Sequence, residues 1–260
     1  MNNSFESFYE ENKEFLSKNY PGLKLLRLIR EFDECKELTE EEFKAKVLSG
    51  VPLEYISNVS YFYKDSFFVD DRVLIPRSET EILVEECINY IKKNNVQNIY
   101  EIGVGSGCIS ISIALECPGI CIKASDISTD ALAVANKNLE GRDLDISFEN
   151  VDLIDGGEYE LIVSNPPYIK ELADKDGVHN QTDSHEPHLA LYLKDSEYTL
   201  WFKKLFDRCA QRLKHGGAFY MEGHEDHLGD LKDIALNYFS SVKIKKDYTH
   251  RDRFLLCYKD

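Results

Sequence analysis

Asn98-Ile99-Tyr100-Glu101-Ile102-Gly103-Val104-Gly105-Ser106-Gly107-Cys108-Ile109-Ser110-Ile111-Ser112-Ile113-Ala114-Leu115 reads as a strand, a glycine turn and a helix. Glycines permit positive φ and let backbone N–H groups come close to a ligand, so the turn makes a cofactor cradle at a helix N-terminus. The spacing is Glu-x-Gly-x-Gly-x-Gly. It is neither the G-x-G-x-x-G dinucleotide fingerprint nor a P-loop, which needs a Gly-Lys-Ser/Thr ending. The next apolar run, Gly119 to Ser125, leads into Asp126, about twenty residues past the glycines, where an acid can take both hydroxyls of a ribose. A third run, Ile146 to Val151, leads into Asp152, placed to meet an adenine edge. Three consecutive strand ends thus offer a nucleoside a pocket, with Glu101, Gly103, Gly105, Gly107, Asp126 and Asp152 as its candidate walls and Asn165, at the next strand end, as a further cofactor-binding candidate.

The fourth strand end carries a different signal. Asn165-Pro166-Pro167-Tyr168 follows directly on the apolar run Leu161-Ile162-Val163. Two prolines cannot continue a strand: neither has an N–H, and Pro167 drives the residue before it out of the helical region. The chain therefore stops rigidly at the edge of the sheet where open α/β folds bind ligands. The Asn165 side-chain oxygen and the Pro166 carbonyl both accept hydrogen bonds, and together they match a planar NH2 group. Tyr168 can lie against the face of that group. Asn-Pro by itself is an ordinary turn dipeptide; its position after a buried strand and beside a glycine cradle gives it chemical meaning.

Outward from these motifs, residues 97 to 260 alternate strands and helices, which predicts a doubly wound, mostly parallel sheet. Trp201 to Leu213 and Leu228 to Tyr238 read as helices, and Gly217 to Glu222, Val242 to Lys246 and Phe254 to Tyr258 as strands. Tyr55 to Leu74 alternates aromatic and polar residues, predicting a β-hairpin with its tip near Lys64-Asp65. Arg77 to Glu81 starts a helix, and Arg77 there can pair with an acid or steady the cofactor pocket. The first 48 residues carry helical stripes through Phe5, Phe8 and Tyr9, through Leu23, Leu25, Leu26, Leu28 and Ile29, and through Phe43, Val47 and Leu48. Stripes at that spacing predict packing faces. Thr39-Glu40-Glu41-Glu42 predicts a capping box. The expected division is a helical N-terminal region over 1–50, a hairpin linker over 51–75 and a large α/β domain over 76–260.

Composition narrows the function classes. With 31 basic and 47 acidic residues the formal charge is −16, which opposes a phosphate-backbone substrate, whose binding depends on Lys and Arg releasing counterions. No apolar run approaches a membrane span, and Met1 to Glu6 has no basic or hydrophobic leader character, so a cytoplasmic location is expected. Seven cysteines scattered from Cys35 to Cys257 lie mostly in apolar patterns and read as reduced core thiols. Cys117 with Cys121, His185 with His188, and His224 with His227 lack the second spaced pair of a zinc site, so no metal is expected.

Glu101 to Gly107, Asp126 and Asn165 to Tyr168 together resemble an S-adenosylmethionine-dependent methyltransferase acting on an amide or amino nitrogen. Val73-Leu74-Ile75-Pro76-Arg77-Ser78-Glu79-Thr80-Glu81 is similar to the segment preceding that domain in the HemK/PrmC family of protein-(glutamine-N5) methyltransferases. Pro52 to Ile56, Glu186-Pro187 with Ala190-Leu191, and Asp252-Arg253 fall in the same family order. The resemblance covers roughly residues 50 to 258 and is specific by conjunction. It implies a class I methyltransferase fold with a seven-stranded, Rossmann-like sheet, S-adenosylmethionine as cofactor and S-adenosylhomocysteine as product. It also implies methylation of the glutamine in the Gly-Gly-Gln tip of a class I peptide-chain release factor, with a substrate-binding surface that includes Phe62, Arg77 and Glu186 beside Asn165, Pro166, Pro167 and Tyr168. A monomer is expected.

The chain departs from the family in having a short N-terminal region, Val104 for a threonine in the glycine loop and Lys64 for a glycine in the hairpin. Two neighbouring activities share the motifs: glutamine methylation of a ribosomal protein, and methylation of the exocyclic amine of adenine in nucleic acid. A non-catalytic cofactor-binding protein is the third alternative, opposed by the intact Asn165 motif and glycine loop.

Overall fold

The structure, a computed structural model, describes residues 2–260. Five helices lead the chain: α1 (Asn2–Glu11), α2 (Lys13–Asn19), α3 (Leu25–Glu34), α4 (Glu40–Leu48) and α5 (Leu53–Ser57). The hairpin β1 (Val59–Phe62) and β2 (Asp65–Phe68) follows, then α6 (Thr80–Asn94), β3 (Asn98–Ile102), α7 (Cys108–Glu116), β4 (Cys121–Asp126), α8 (Thr129–Leu139), β5 (Ile146–Asn150) and β6 (Tyr159–Ser164). An excursion comprises β7 (Ile169–Lys170), a 3-10 turn (Lys175–Gly177), α9 (Asn180–His185), α10 (His188–Leu191) and β8 (Tyr192–Leu193). The chain closes with α11 (Tyr198–Arg212), β9 (Leu213–Glu222), α12 (Leu228–Ala235), β10 (Ser241–Lys246) and β11 (Asp252–Tyr258).

Seven strands form one sheet in the order β10-β11-β9-β6-β3-β4-β5. Strands β9, β6, β3, β4 and β5 are mutually parallel, and β11 runs antiparallel to both of its neighbours. Side chains alternate across a strand, so each apolar run supplies both faces. Ile99, Leu161, Val163, Ala218 and Phe254 face α6 and α7 in one core. Tyr100, Ile162, Phe219, Met221 and Leu255 face α11 and α12 in the other. Each large buried side chain contributes roughly 1.5–3 kcal/mol of hydrophobic stabilisation, and helices on both faces are what a mostly parallel sheet requires. The doubly wound fold read from the sequence is therefore the fold observed.

The N-terminal helices have a core of their own, built from Phe5, Phe8, Leu16, Leu28, Phe43 and Val47 among others. Leu26 and Leu48 do not join it; they are 79% and 41% exposed, on the outer sides of α3 and α4. The capping box is present: Thr39 accepts from the Glu42 N–H while Glu42 accepts from the Thr39 N–H.

The hairpin is shorter than the aromatic alternation suggested. Tyr55 and Ile56 belong to α5, which ends at Asn58 in the left-handed region (φ 56°), a helix-stopping conformation that asparagine tolerates. Phe62 pairs with Asp65, so the tip is Tyr63-Lys64. Strand β9 starts four residues before Gly217, its register against β6 shifting between Tyr159 and Leu161. Among the described residues, no helix is long and apolar enough to cross a membrane.

Candidate active site

The cavity that concerns the predicted residues has a volume of about 220 Å³ and opens at the C-terminal ends of β3, β4 and β6. Glu101, Gly103, Gly105, Asp126, Asp152, Asn165, Pro166, Pro167 and Arg77 all line it. Residues from separate strand ends thus converge at the edge where this class of sheet binds ligands.

The glycine loop is built by backbone geometry. Gly103, Gly105 and Gly107 have φ of 75°, 53° and 82°, which L side chains rarely adopt. The Gly103 and Val104 N–H groups both donate to the Ser125 carbonyl (2.8 and 3.0 Å), stitching the loop to β4. Gly107 does not line the cavity. A Cβ there would stand 3.4 Å from the Ala135 Cβ, so this glycine lets α7 start close against α8. Asn138, also on α8, donates to the Ser106 and Phe68 carbonyls and accepts from the Phe68 N–H, tying the loop to the hairpin.

Asp126 closes β4 with both carboxylate oxygens engaged: Oδ2 accepts from the Gly105 N–H and Oδ1 from the Ser128 N–H, each at 2.9 Å. Burial raises its pKa above the ordinary carboxylate range, and these N–H donors oppose the rise. Asp152 lies beyond β5, is exposed, and accepts from Lys204 Nζ at 2.6 Å. Glu101 is fully buried. Its Oε2 accepts from the Ser110 N–H and hydroxyl, while Oε1 has no partner among the described residues. Burial pushes its pKa up to about 8. A buried carboxylate oxygen on a cavity wall with nothing to bind is what a cationic ligand group would satisfy.

Asn165 follows β6, its carbonyl 3.9 Å from where a Cβ on Gly103 would sit, so clamp and glycine loop are adjacent. Its Nδ2 donates to Thr80 Oγ1 at 3.2 Å. Tyr168 does not line the cavity. Its ring packs among the α11 and α12 side chains, its hydroxyl donates to Glu222 Oε1 (3.0 Å), and its carbonyl accepts from the Tyr198 hydroxyl (3.1 Å). The stacking position expected of it is thus replaced by a brace between the clamp and β9. Phe62 is likewise displaced from its expected substrate contact: it is 2% exposed and packs edge-on against Phe67 in the core. The hairpin alternation marks two faces but not which one turns inward.

Glu186 is 4% exposed and does not reach the cavity. It accepts from the Ile75 N–H (3.1 Å) and pairs with Arg77 Nη2 at 2.5 Å. Arg77 is therefore placed by an acid 109 residues away, delivered by the β7 to β8 excursion. Thr80 and Glu222 were not singled out from the sequence. An acid closing the apolar run of β9 at the binding edge of the sheet is the signal that could have found Glu222.

Asp174, His224 and His227 bring their ligand atoms within 4.8 Å of one another. Asp174 already accepts from the Lys170 N–H and pairs with His227 Nε2, both at 2.8 Å. The cluster pins the segment after the clamp to the loop after β9.

Residues 78–184 match the methyltransferase small domain family. The chain is 34% identical over 263 residues to a release factor glutamine methyltransferase of Chlorobaculum tepidum, covering 94% of this chain and 88% of that one. A protein of the same name from Flavobacterium psychrophilum is 36% identical, with 90% and 82% covered. Among solved structures, the hMettl16 catalytic domain bound to an RNA hairpin superposes with TM-score 0.62 at 14% identity, over 92% of this chain and 93% of that one. A T. thermophilus 16S rRNA methyltransferase bound to AdoMet and guanosine gives 0.56 at 15% identity, over 78% and 50%. At such identities the structures speak for the class I methyltransferase fold alone, whereas the sequence relatives, similar over nearly their whole length, carry the family. The chain belongs to the release factor glutamine methyltransferase family.

Proposed function

We propose that this protein transfers a methyl group from S-adenosylmethionine to the side-chain amide nitrogen of glutamine in the Gly-Gly-Gln tip of a class I release factor, in the cytoplasm. The observation that carries the chemistry is the rigid Asn165-Pro166 acceptor pair on the wall of a cavity shared with the glycine loop. The names of the relatives support the substrate. The formal charge of −16 favours a protein over a polyphosphate substrate.

The cavity residues fit the cofactor: Glu101 Oε1 lacks a partner for an ammonium group, and Asp126 stands at the end of β4 for a ribose. When bound, S-adenosylmethionine supplies an electrophilic methyl on a sulfonium. The chain's residues then have a positioning task, because an amide nitrogen is a poor nucleophile with its lone pair spread into the carbonyl. Asn165 Oδ1 and the Pro166 carbonyl accept the two amide N–H bonds and turn the nitrogen toward the glycine loop. Orientation of this kind can supply up to roughly 7–11 kcal/mol of the barrier. Methylation makes the nitrogen acidic, so water suffices as proton acceptor.

The activity is checked by mass spectrometry of a purified release factor incubated with the protein and S-adenosylmethionine. One added methyl on the Gly-Gly-Gln peptide is expected; an unmodified peptide with cofactor bound would overturn the substrate.

Glu101 gives the cofactor reading a pH signature. The ligand-free fold holds a proton on Glu101 up to about pH 8, whereas the unfolded chain releases it near pH 4.3. Its contribution to stability therefore falls as pH rises through that window. A cation beside Oε1 favours the ionised form, so binding below pH 8 expels a proton. Affinity for S-adenosylhomocysteine should rise from pH 6 to 8 by up to about tenfold per unit, then level off. Calorimetry in buffers of different ionisation heat measures the released proton. A flat profile in the wild type, matching Glu101→Gln, would refute the pairing.

A further inference from the structure

We propose that Thr80 and Glu222 are positioning residues that decide which end of the Asn165 amide faces the cavity. Glu222, the last residue of β9, is 1% exposed and its carboxylate accepts from two hydroxyls: Thr80 Oγ1 at 2.6 Å and Tyr168 at 3.0 Å. A hydroxyl has one hydrogen to give. With that hydrogen committed to Glu222, Thr80 Oγ1 offers only lone pairs, and the group beside it must be a donor. Asn165 Nδ2 fills that place at 3.2 Å. An amide carries its donors on nitrogen and its acceptor on oxygen, so turning the nitrogen toward Thr80 leaves Oδ1 for the cavity. The reversed amide would present N–H groups to a substrate NH2, donor against donor.

The ordinary role of a threonine at a helix start is to cap it. Thr80 does not: it is the first residue of α6, the N-cap is Glu79, and no side-chain cap bond forms. Its hydroxyl reaches instead across the fold to a residue 142 positions away. Glu222 stands beside Thr80 at the start of α6, yet its two side-chain bonds go to the neighbour of the clamp asparagine and to the clamp tyrosine. Burial raises its pKa, while the Thr80 and Tyr168 hydroxyls and the nearby Arg253 charge favour the carboxylate that the relay needs. The relay is thus carboxylate to hydroxyl to amide, each member fixing the polarity of the next.

This inference rests on the acceptor role given to Asn165, and the test separates the two. Wild type, Thr80→Val, Thr80→Ser and Asn165→Ala are compared for kcat and KM with a release factor and for S-adenosylhomocysteine affinity. Thr80→Val, equal in shape but unable to hold the amide, should lower kcat by about 10- to 100-fold, the worth of one charge-linked hydrogen bond. Cofactor affinity should stay within about twofold, and Thr80→Ser should recover kcat to within about threefold, a pattern that general loosening of the helix would not give. A Thr80→Val enzyme with wild-type kcat, beside an inactive Asn165→Ala, overturns the relay and leaves the clamp standing. An active Asn165→Ala overturns both. In the wild-type protein, an Asn165 side-chain NH2 signal, assigned by its loss in Asn165→Ala, should exchange slowly with water because one proton is held by buried Thr80. Rapid exchange of both protons overturns the relay even if Thr80→Val does not fold.

Discussion

Asn165→Ala should reduce kcat by roughly 10²- to 10³-fold, the loss seen when one oriented hydrogen-bond partner of a reacting group is removed. The side chain supplies one of the two acceptors in the clamp, and the Pro166 carbonyl alone leaves the amide free to rotate about the remaining bond. The glycine loop, Glu101 and Asp126 are untouched, so S-adenosylhomocysteine affinity should hold within about twofold. Single-turnover rates and calorimetry on the same preparation measure the two quantities. A variant with near-normal turnover removes the clamp from the mechanism, and one that also loses the cofactor assigns Asn165 to cofactor binding instead.

Arg77→Ala should act on stability. Glu186 is buried and its carboxylate has two partners, the Ile75 N–H and the Arg77 guanidinium. Removing the arginine leaves an almost uncompensated buried charge, which typically lowers stability by about 3–5 kcal/mol. For a chain of this size that corresponds to a drop in Tm of about 6–20 °C. Replacing both partners, as Arg77→Met with Glu186→Leu, should recover most of the loss because no charge is then stranded. Differential scanning calorimetry decides the matter: a fall below about 2 °C for Arg77→Ala means that Glu186 is relieved in some other way.

The parts of this molecule that were legible in the sequence are those whose physics is local. The glycine loop needs only its own backbone conformations, and the strand ends at Asp126 and Asn165 are marked by an apolar run giving way to a polar residue. The capping box at Thr39 is complete within four residues. The misjudged parts depend on partners supplied by the fold. Leu26 shares a segment with core leucines, and only the packing of α3 against its neighbours decides that it points outward. Phe62 and Tyr168 are aromatic residues near the right place, but the core behind the hairpin and the acid on β9 claimed them first. Thr80, Glu222 and Glu186 carry no motif at all: their contacts span 142 and 109 residues and exist because the sheet places β9 beside β6 and the excursion returns to Ile75.

The strand order has a consequence for how the protein is made. Strand β11, the last in sequence, lies between β9 and β10, not at an edge. While the chain is being synthesised, the hydrophobic core of the N-terminal helices is complete by Ile56 and can settle early. The sheet is different: until Asp252–Tyr258 arrives, β9 has one side unpaired and β10 has no neighbour. Exposed strand edges of that kind are openings for aggregation. Glu222, whose carboxylate orders the clamp, sits at the end of β9 and pairs in register with Phe254 of β11. Completion of that edge therefore waits for Asp252–Tyr258 to be made, and a chain cut short before β11 lacks the strand that holds its clamp-ordering acid in line.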